Sequence, residues 1–434
     1  MSTIIGIRRE DKNKWERRTP LVPTDASDLQ AQQGVRFLVQ HSSVRVCTDD
    51  EYRSAGIEVN ENLAPASVIF AIKEIPPPML QPGKIYVFFA HVVKGQPHNM
   101  PMLRRLMELG CSLVDYEKIT DEQKRRLIFF GRHAGYAGML ETLRGLGQRL
   151  EACGMQSPLA KVRPAFEYRD LKEAKAHLTA LGDETVRQAG TRPLVFGFSG
   201  YGNVSIGAQE VFDCLKPVEV AVANLPAAAA GVGPRPVKVV FREEDMVERK
   251  ERSTPFNLSE YYSHPERYEG CFEKYLPHLD VLVNCIYWDQ RYPRLVTREW
   301  ARKNYLPGCS PRLKVIGDIS CDIEGSIEFT VKATEPDHPC FVYLPENDSV
   351  RDGVEGNGPV VMAVDNLPCE IPRESSQYFS SVLRDMVRPL VNADWQVPFE
   401  QLDLPSCLKR AVIVHQGRLT PDYQYIQQHL EAHP

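Results

Sequence analysis

Short, continuous apolar runs recur along the chain, and most are followed by a polar stretch with helical spacing. That pattern predicts strands alternating with helices. Thr3–Ile7 reads as a first strand. Pro23-Thr24-Asp25 then opens a helix to about Gly34, a glycine suited to a C-terminal cap, and Val35–Gln40 completes a βαβ unit. Asp49–Ala55 and Ile57–Val59 read as a further short helix and strand. Val68–Ile72 and Ile85–Ala90 are rich in β-branched and aromatic residues and fit strands buried on both faces. Pro76, Pro77, Pro78 and Pro82 lie between them, which argues against a tight hairpin and for a crossover between parallel strands. A helix over Met100–Leu109, closed by Gly110, and a strand at Cys111–Val114 continue the alternation.

A long helix over Ala134–Glu151 leads across to a second alternation, with strands at Leu194–Phe198, Val237–Phe241, Val281–Cys285 and Val315–Ile316. One more helix, Ser376–Val391, precedes a loose carboxyl end. The fold expected is α/β, two Rossmann-like doubly wound domains with a cleft between them. Residues 1–140 with 375–434 form the substrate-binding, catalytic domain, and residues 141–374 the dinucleotide-binding domain.

Lys73 and His91 close the two strands that flank the prolines. If those strands are parallel, both residues stand side by side at carboxyl ends, where open α/β sheets form their ligand crevices. A histidine suits proton transfer near neutral pH, and a lysine joins it if burial or a nearby cation lowers its pKa, with Glu74 pulling the other way. Arg17, Arg18, Arg125 and Arg126 offer guanidinium forks for carboxylates. Leu194–Gln209 (LVFGFSGYGNVSIGAQ) runs from a strand through Gly200-Tyr201-Gly202 into a helix, the arrangement that presents backbone N–H groups to a pyrophosphate. Ser205 stands at the third glycine position, with Gly207 and Ala208 close behind. The acid that would hold a ribose hydroxyl about 20 positions on is not clear. Glu219 is nearest, and the strand expected at Val220–Leu225 ends without one, which favours NADPH over NADH.

The net charge of −5, with both signs mixed along the chain, gives no case for nucleic-acid binding. No apolar run approaches the roughly 18 residues of a membrane helix. The opening MSTIIGIRRE reads as neither a signal peptide nor a transit sequence. The 11 cysteines are scattered without a CxxC or Cys/His cluster, and Cys111, Cys214 and Cys285 sit in apolar runs. A reduced, cytoplasmic setting and no zinc site are the expectation.

Several longer strings now add up. GIRRED…WERRTPL (6–21), IKEIPPP (72–78), FFAHVVKGQ (88–96), LVDYEKI (113–119) and the HAGYAGM segment (133–139) are followed by GYGNVSIGAQ (200–209), CIYWDQRYPRLVT (285–297), GDISCDIEGSIEF (317–329) and VDNLP…IPRE (364–374). With them the chain resembles the lysine–ketoglutarate reductase (saccharopine-forming) portion of the α-aminoadipic semialdehyde synthases, in the alanine dehydrogenase/transhydrogenase-like group. The resemblance implies that L-lysine and 2-oxoglutarate condense and that NADPH, or alternatively NADH, reduces the imine to saccharopine. It implies Lys73 and His91 as the acid/base pair, His91 for the carbinolamine and water steps and Lys73 for the proton on the amine. Arg18 and Arg126 would bind substrate carboxylates, with Glu16 and Gln96 close by. Gly200, Gly202, Asn203 and Val204 would line the cofactor phosphates, and Asp318 would face the nicotinamide. The glutamate-forming half of such a bifunctional enzyme is absent from the sequence. A stand-alone reductase or an excised portion is expected, with that activity as a candidate partner and a homo-oligomer left open. The rival readings are an alanine dehydrogenase, a fungal-type NAD-dependent saccharopine dehydrogenase and a non-catalytic nucleotide sensor.

Overall fold

The structure, a computed structural model, describes residues 3–187, 192–306, 308–309 and 311–432. In chain order the strands are β1 (Ile4–Ile7), β2 (Arg36–Val39), β3 (Glu58–Val59), β4 (Val68–Phe70), β5 (Ile85–Phe88) and β6 (Ser112–Asp115). They continue with β7 (Val195–Ser199), β8 (Val218–Glu219), β9 (Val237–Phe241), β10 (Val247–Arg249), β11 (Tyr268–Gly270) and β12 (Val281–Asn284). The last are β13 (Val315–Asp318), β14 (Cys340–Leu344), β15 (Ser349–Asp352), β16 (Val360–Met362), β17 (Val412–His415) and β18 (Arg418–Leu419). The helices that matter below are α1 (Pro23–Gln33), α2 (Asp49–Ser54), α3 (Met100–Glu108), α4 (Gly131–Ala152), α5 (Leu171–Arg187) and α6 (Asn203–Phe212). Two compact units result, one from residues 1–129 with 372–434 and one from 130–371.

The first unit is an eight-stranded sheet in the order β18-β17-β6-β5-β4-β1-β2-β3. β1 to β6 run parallel, and β17 joins β6 antiparallel. Every residue of β4 and β5 is buried, as two-sided packing demands of such apolar runs. The prolines between these strands do make a crossover. Gly34 caps α1 at φ 63°, the left-handed value that a Cβ disfavours. The carboxyl end is not loose. The helix begins earlier than expected, at Pro372, and β17 and β18 follow it into the sheet. β17 is four residues long and wholly buried. This tail shapes the site. The Ser376 and Ser380 hydroxyls accept the backbone N–H groups of Thr19 and Val22 at 3.0 Å, fixing the loop that carries Arg18. The Tyr425 hydroxyl donates to the Val93 carbonyl at 2.8 Å, fixing the loop after His91.

In the second unit the order is β15-β14-β16-β13-β12-β7-β9-β8. Five strands from β16 to β9 are parallel, whereas β14 is antiparallel to both neighbours, an edge that the apolar pattern did not reveal. The expected strand Val220–Leu225 does not form. β8 is two residues long, and Leu225–Ala230 is a helix of small residues. The long helix α4 belongs to this unit, so the division falls at Phe129/Phe130 rather than at residue 140. α4 packs against α6 so closely that a Cβ on Gly135 would lie 2.1 Å from the Val204 carbonyl, and one on Gly207 2.1 Å from the Arg132 carbonyl. No helix among the described residues is long and apolar enough to cross a membrane, and the eleven cysteines are unpaired.

Candidate active site

β4 and β5 pair as Val68↔Ile85, Ile69↔Tyr86 and Phe70↔Val87. Continuing that register beyond the strands sets Glu74, rather than Lys73, opposite His91. The expected side-by-side amine and imidazole are therefore offset by one residue. Glu74 Oε1 meets His91 Nδ1 at 2.6 Å, and Glu74 Oε2 accepts from Lys12 Nζ at 2.9 Å. With Nδ1 as the donor to a carboxylate, Nε2 is left as the proton acceptor. Burial opposes ionisation of Glu74, but the bonds from His91 and Lys12 outweigh it and hold its carboxyl far below the usual range. His91 has φ 48°, unusual for a residue with a Cβ. Its carbonyl accepts from Asn99 Nδ2 at 3.2 Å, and its ring stacks on Phe89.

Glu10 holds Lys73 from behind. Its carboxylate accepts the N–H groups of Ile72 at 2.6 Å and Lys73 at 2.9 Å. Burial, together with neighbouring Glu16, pushes the Glu10 carboxyl up to about 7. Burial and then the Arg18 guanidinium lower the Lys73 pKa, against smaller opposite effects from Glu16 and Glu74. Among the described residues the Lys73 amine makes no hydrogen bond, so it is a free base-forming group.

Both arginines singled out by the sequence face acids of this unit. Arg18 grips Glu16 at two points, Nε to Oε1 at 2.7 Å and Nη2 to Oε2 at 2.6 Å, and both side chains are buried. Arg126, more than half exposed, pairs with Glu117. A substrate carboxylate at either fork would share it with the glutamate already there. Gln96 is half-buried, and its Oε1 accepts the Lys94 N–H at 3.2 Å.

In the second unit β7 runs into Gly200, with φ 86°, and α6 starts at Asn203 with Gly202 as its cap. No side chain caps that end, so the first-turn N–H groups of Asn203 and Val204 are available to an anion. The task of a third glycine, close packing of the helix, falls to Gly207. Beside the turn lies a cavity of about 280 Å³ lined by Gly200, Tyr201, Gly202, Glu243, Tyr261 and Tyr262. The Tyr262 hydroxyl donates to Glu243 Oε1 at 2.6 Å, while Glu243 Oε2 is buried without a partner. Arg242 lies over the Tyr201 ring, 4.6 Å from its centre. Just beyond β9, the strand that adjoins β7, stands Glu243, an acid well past the spacing of about 20 positions. β8 and the helix Leu225–Ala230 separate it in sequence from β7, which β9 adjoins. Glu219 sits on the edge strand and pairs with Lys238 at 3.0 Å. Asp318 ends β13 as expected, but its carboxylate is consumed internally by Asn284 at 2.8 Å, Thr330 at 2.6 Å and the Cys321 N–H at 3.2 Å. It is buried, which pushes its pKa up to about 6, and it ties β12 to β13.

Sequence reasoning missed Glu10, Glu243 and Asp115 and undervalued Glu74. Glu10 and Asp115 lie within the quoted strings GIRRED and LVDYEKI, where their charge next to apolar strand ends was the available signal.

Residues 6–137 match the family domain described as "Alanine dehydrogenase/PNT, N-terminal domain", and residues 228–422 match "Alanine dehydrogenase/PNT, C-terminal domain". The chain belongs to this family of nicotinamide-dinucleotide dehydrogenases. It is 38% identical over 455 residues to an alpha-aminoadipic semialdehyde synthase of Arabidopsis thaliana, covering 99% of this chain and 42% of the relative. The mitochondrial synthase of Bos taurus is 35% identical over 442 residues, 98% of this chain and 47% of the relative. The chain therefore spans less than half the length of these relatives. A saccharopine dehydrogenase [NAD(+), L-lysine-forming] of Emericella nidulans is 27% identical, covering 88% of this chain and 90% of the relative. Among solved structures, an L-alanine dehydrogenase superposes with a TM-score of 0.62 at 17% identity, over 99% of this chain and 100% of that one. A transhydrogenase from Sinorhizobium meliloti gives 0.56 at 14%, over 96% and 100%. These two share the fold.

Proposed function

We propose that the chain condenses L-lysine with 2-oxoglutarate and reduces the resulting imine to saccharopine. The observation that carries this reading is the Lys73 amine and the Glu74-held His91 imidazole at the ends of adjacent parallel strands, with two Arg–Glu pairs in the same unit. A substrate pair with three carboxylates uses two guanidinium sites better than a small monocarboxylate does. Lys73, its pKa lowered, takes the proton from the incoming amine. His91, through Nε2, gives and takes protons at the oxygen as the carbinolamine forms and water leaves. The bound nicotinamide supplies the hydride. Following coenzyme absorbance with lysine and several 2-oxo acids tests this. Oxidation is expected only when L-lysine and 2-oxoglutarate are both present; oxidation with pyruvate and ammonia, and none with lysine, would assign the chain to the alanine dehydrogenase reaction.

For the coenzyme, one reason for expecting NADPH, beside the resemblance, was a missing acid, and Glu243 is a candidate for that role. Its unpartnered buried oxygen suits a ribose hydroxyl and repels a 2′-phosphate, so NADH is the better reading. Arg242 on Tyr201 supports NADPH as the second. Losing a hydrogen bond to a charged group costs about 1.5–3 kcal/mol, so E243Q is expected to lower kcat/KM for NADH roughly 10-fold or more and to spare NADPH. If R242A instead abolishes a preference for NADPH and E243Q changes nothing, the second reading stands.

A further inference from the structure

On β6, the strand that adjoins β5 on the side away from Glu74's strand, lies a carboxyl that none of the roles above uses. Asp115 ends β6 and pairs in register with Phe88 of β5, so it lies against the chain that leads into His91. It is wholly buried. Oδ1 accepts the Glu117 N–H at 2.9 Å, and the Ala90 N–H also faces the carboxyl, so among the described residues only backbone N–H groups hold it. A wholly buried carboxyl with no cationic side chain bonded to it is costly to ionise, and such a group in a folded protein calls for an explanation.

We propose that Asp115 is a second carboxylate serving His91, a positioning residue that braces the left-handed Ala90–His91 step and steadies the imidazole when it carries a proton. This rests on the reaction proposed above. The groups facing Asp115 come from three directions. Glu117 lies on the turn that follows β6, the Ala90 N–H and the His91 ring on the extension of β5, and Tyr423 on the turn Pro421–Ile426, its hydroxyl donating to the Arg410 carbonyl at 2.7 Å. Burial and the Glu117 charge push the Asp115 carboxyl up to about 7, while His91 and the Ala90 N–H pull it back. Glu74 behaves oppositely, held ionised by Lys12 and His91. Glu74 is bonded to the imidazole and Asp115 acts on it only through charge; environments that drive the two carboxyls apart divide the work. Glu74 fixes the tautomer at every working pH, and Asp115 is the carboxyl whose ionisation is pushed upward by burial.

Asp115→Asn keeps the shape and the bond from the Glu117 N–H. It is expected to lower kcat roughly 10-fold with KM for lysine within about two-fold, and to erase the inflection near pH 7 from the rate profile. An unchanged kcat and profile would overturn the proposal, as would a loss of kcat that tracks a lower melting temperature with the inflection retained. A second measurement needs no Asp115 variant and no turnover. Carboxyl-carbon NMR of the full chain is expected to show Asp115 titrating near 7 and to show that midpoint displaced upward in H91Q, because a positive neighbour is lost. Titration in the ordinary aspartate range, or an identical curve in H91Q, would overturn the proposal. A chain that shows the displacement but does not turn over lysine and 2-oxoglutarate refutes the proposed reaction and leaves the Asp115–His91 coupling standing.

Discussion

Replacing Lys73 by Met, or His91 by Gln, is expected to lower turnover by roughly 10²–10⁴, the usual worth of a positioned acid or base. The two losses come from different geometry. Lys73 has a free amine whose proton affinity is reduced by burial and by Arg18, so Met keeps the apolar stem and removes only the titrating end. His91 is oriented by Glu74 at 2.6 Å, and Gln retains a donor for that bond but offers no proton acceptor of comparable basicity. Both variants are expected to fold, since Lys73 Nζ bonds to no described residue and Glu10 holds the strand end through backbone N–H groups. Stopped-flow or steady-state rates with saturating substrates decide the matter, and unchanged rates in both would remove the pair from the mechanism.

The second large effect concerns stability. Gly207→Ala places a methyl 2.1 Å from the Arg132 carbonyl, a backbone atom in the middle of the α4–α6 contact that cannot rotate aside. Forced overpacking costs about 1–3 kcal/mol, and more where backbone must move. A fall in melting temperature of several degrees is expected. Gly202→Ala is the control, because nothing lies within 4 Å of the added carbon and its φ of −76° suits any residue. Thermal unfolding of both variants tests the account; a G207A chain that melts with the parent would mean that the two helices separate freely.

Much of this architecture could be read from the residues because strands buried on both faces declare themselves as unbroken apolar runs. β1, β4, β5, β7 and β12 all do so, and β9 does so but for Lys238. Where the reading slipped, the cause was relational. The side chains of neighbouring strands meet according to register, and a shift of one residue exchanges Lys73 for Glu74 opposite His91. Strand order is likewise invisible along the chain. Searching a fixed distance beyond Gly200 for an acid led to Glu219 on an edge strand, while Glu243 follows the strand that adjoins β7. β17 was missed although Ala411–Val414 is itself an apolar run; what the chain does not display is its pairing with β6, about 300 residues away.

The first unit takes its strands from both ends of the chain, with the whole of the second unit threaded between β6 and the helix Pro372–Asn392. During synthesis on the ribosome, residues 130–371 emerge as one contiguous stretch and can collapse on their own account. The first 129 residues must wait, one sheet edge and one face uncovered, until the helix from Pro372 and β17 arrive to cover them. Of the two units, the one that carries Lys73 and His91 is therefore the later to become complete.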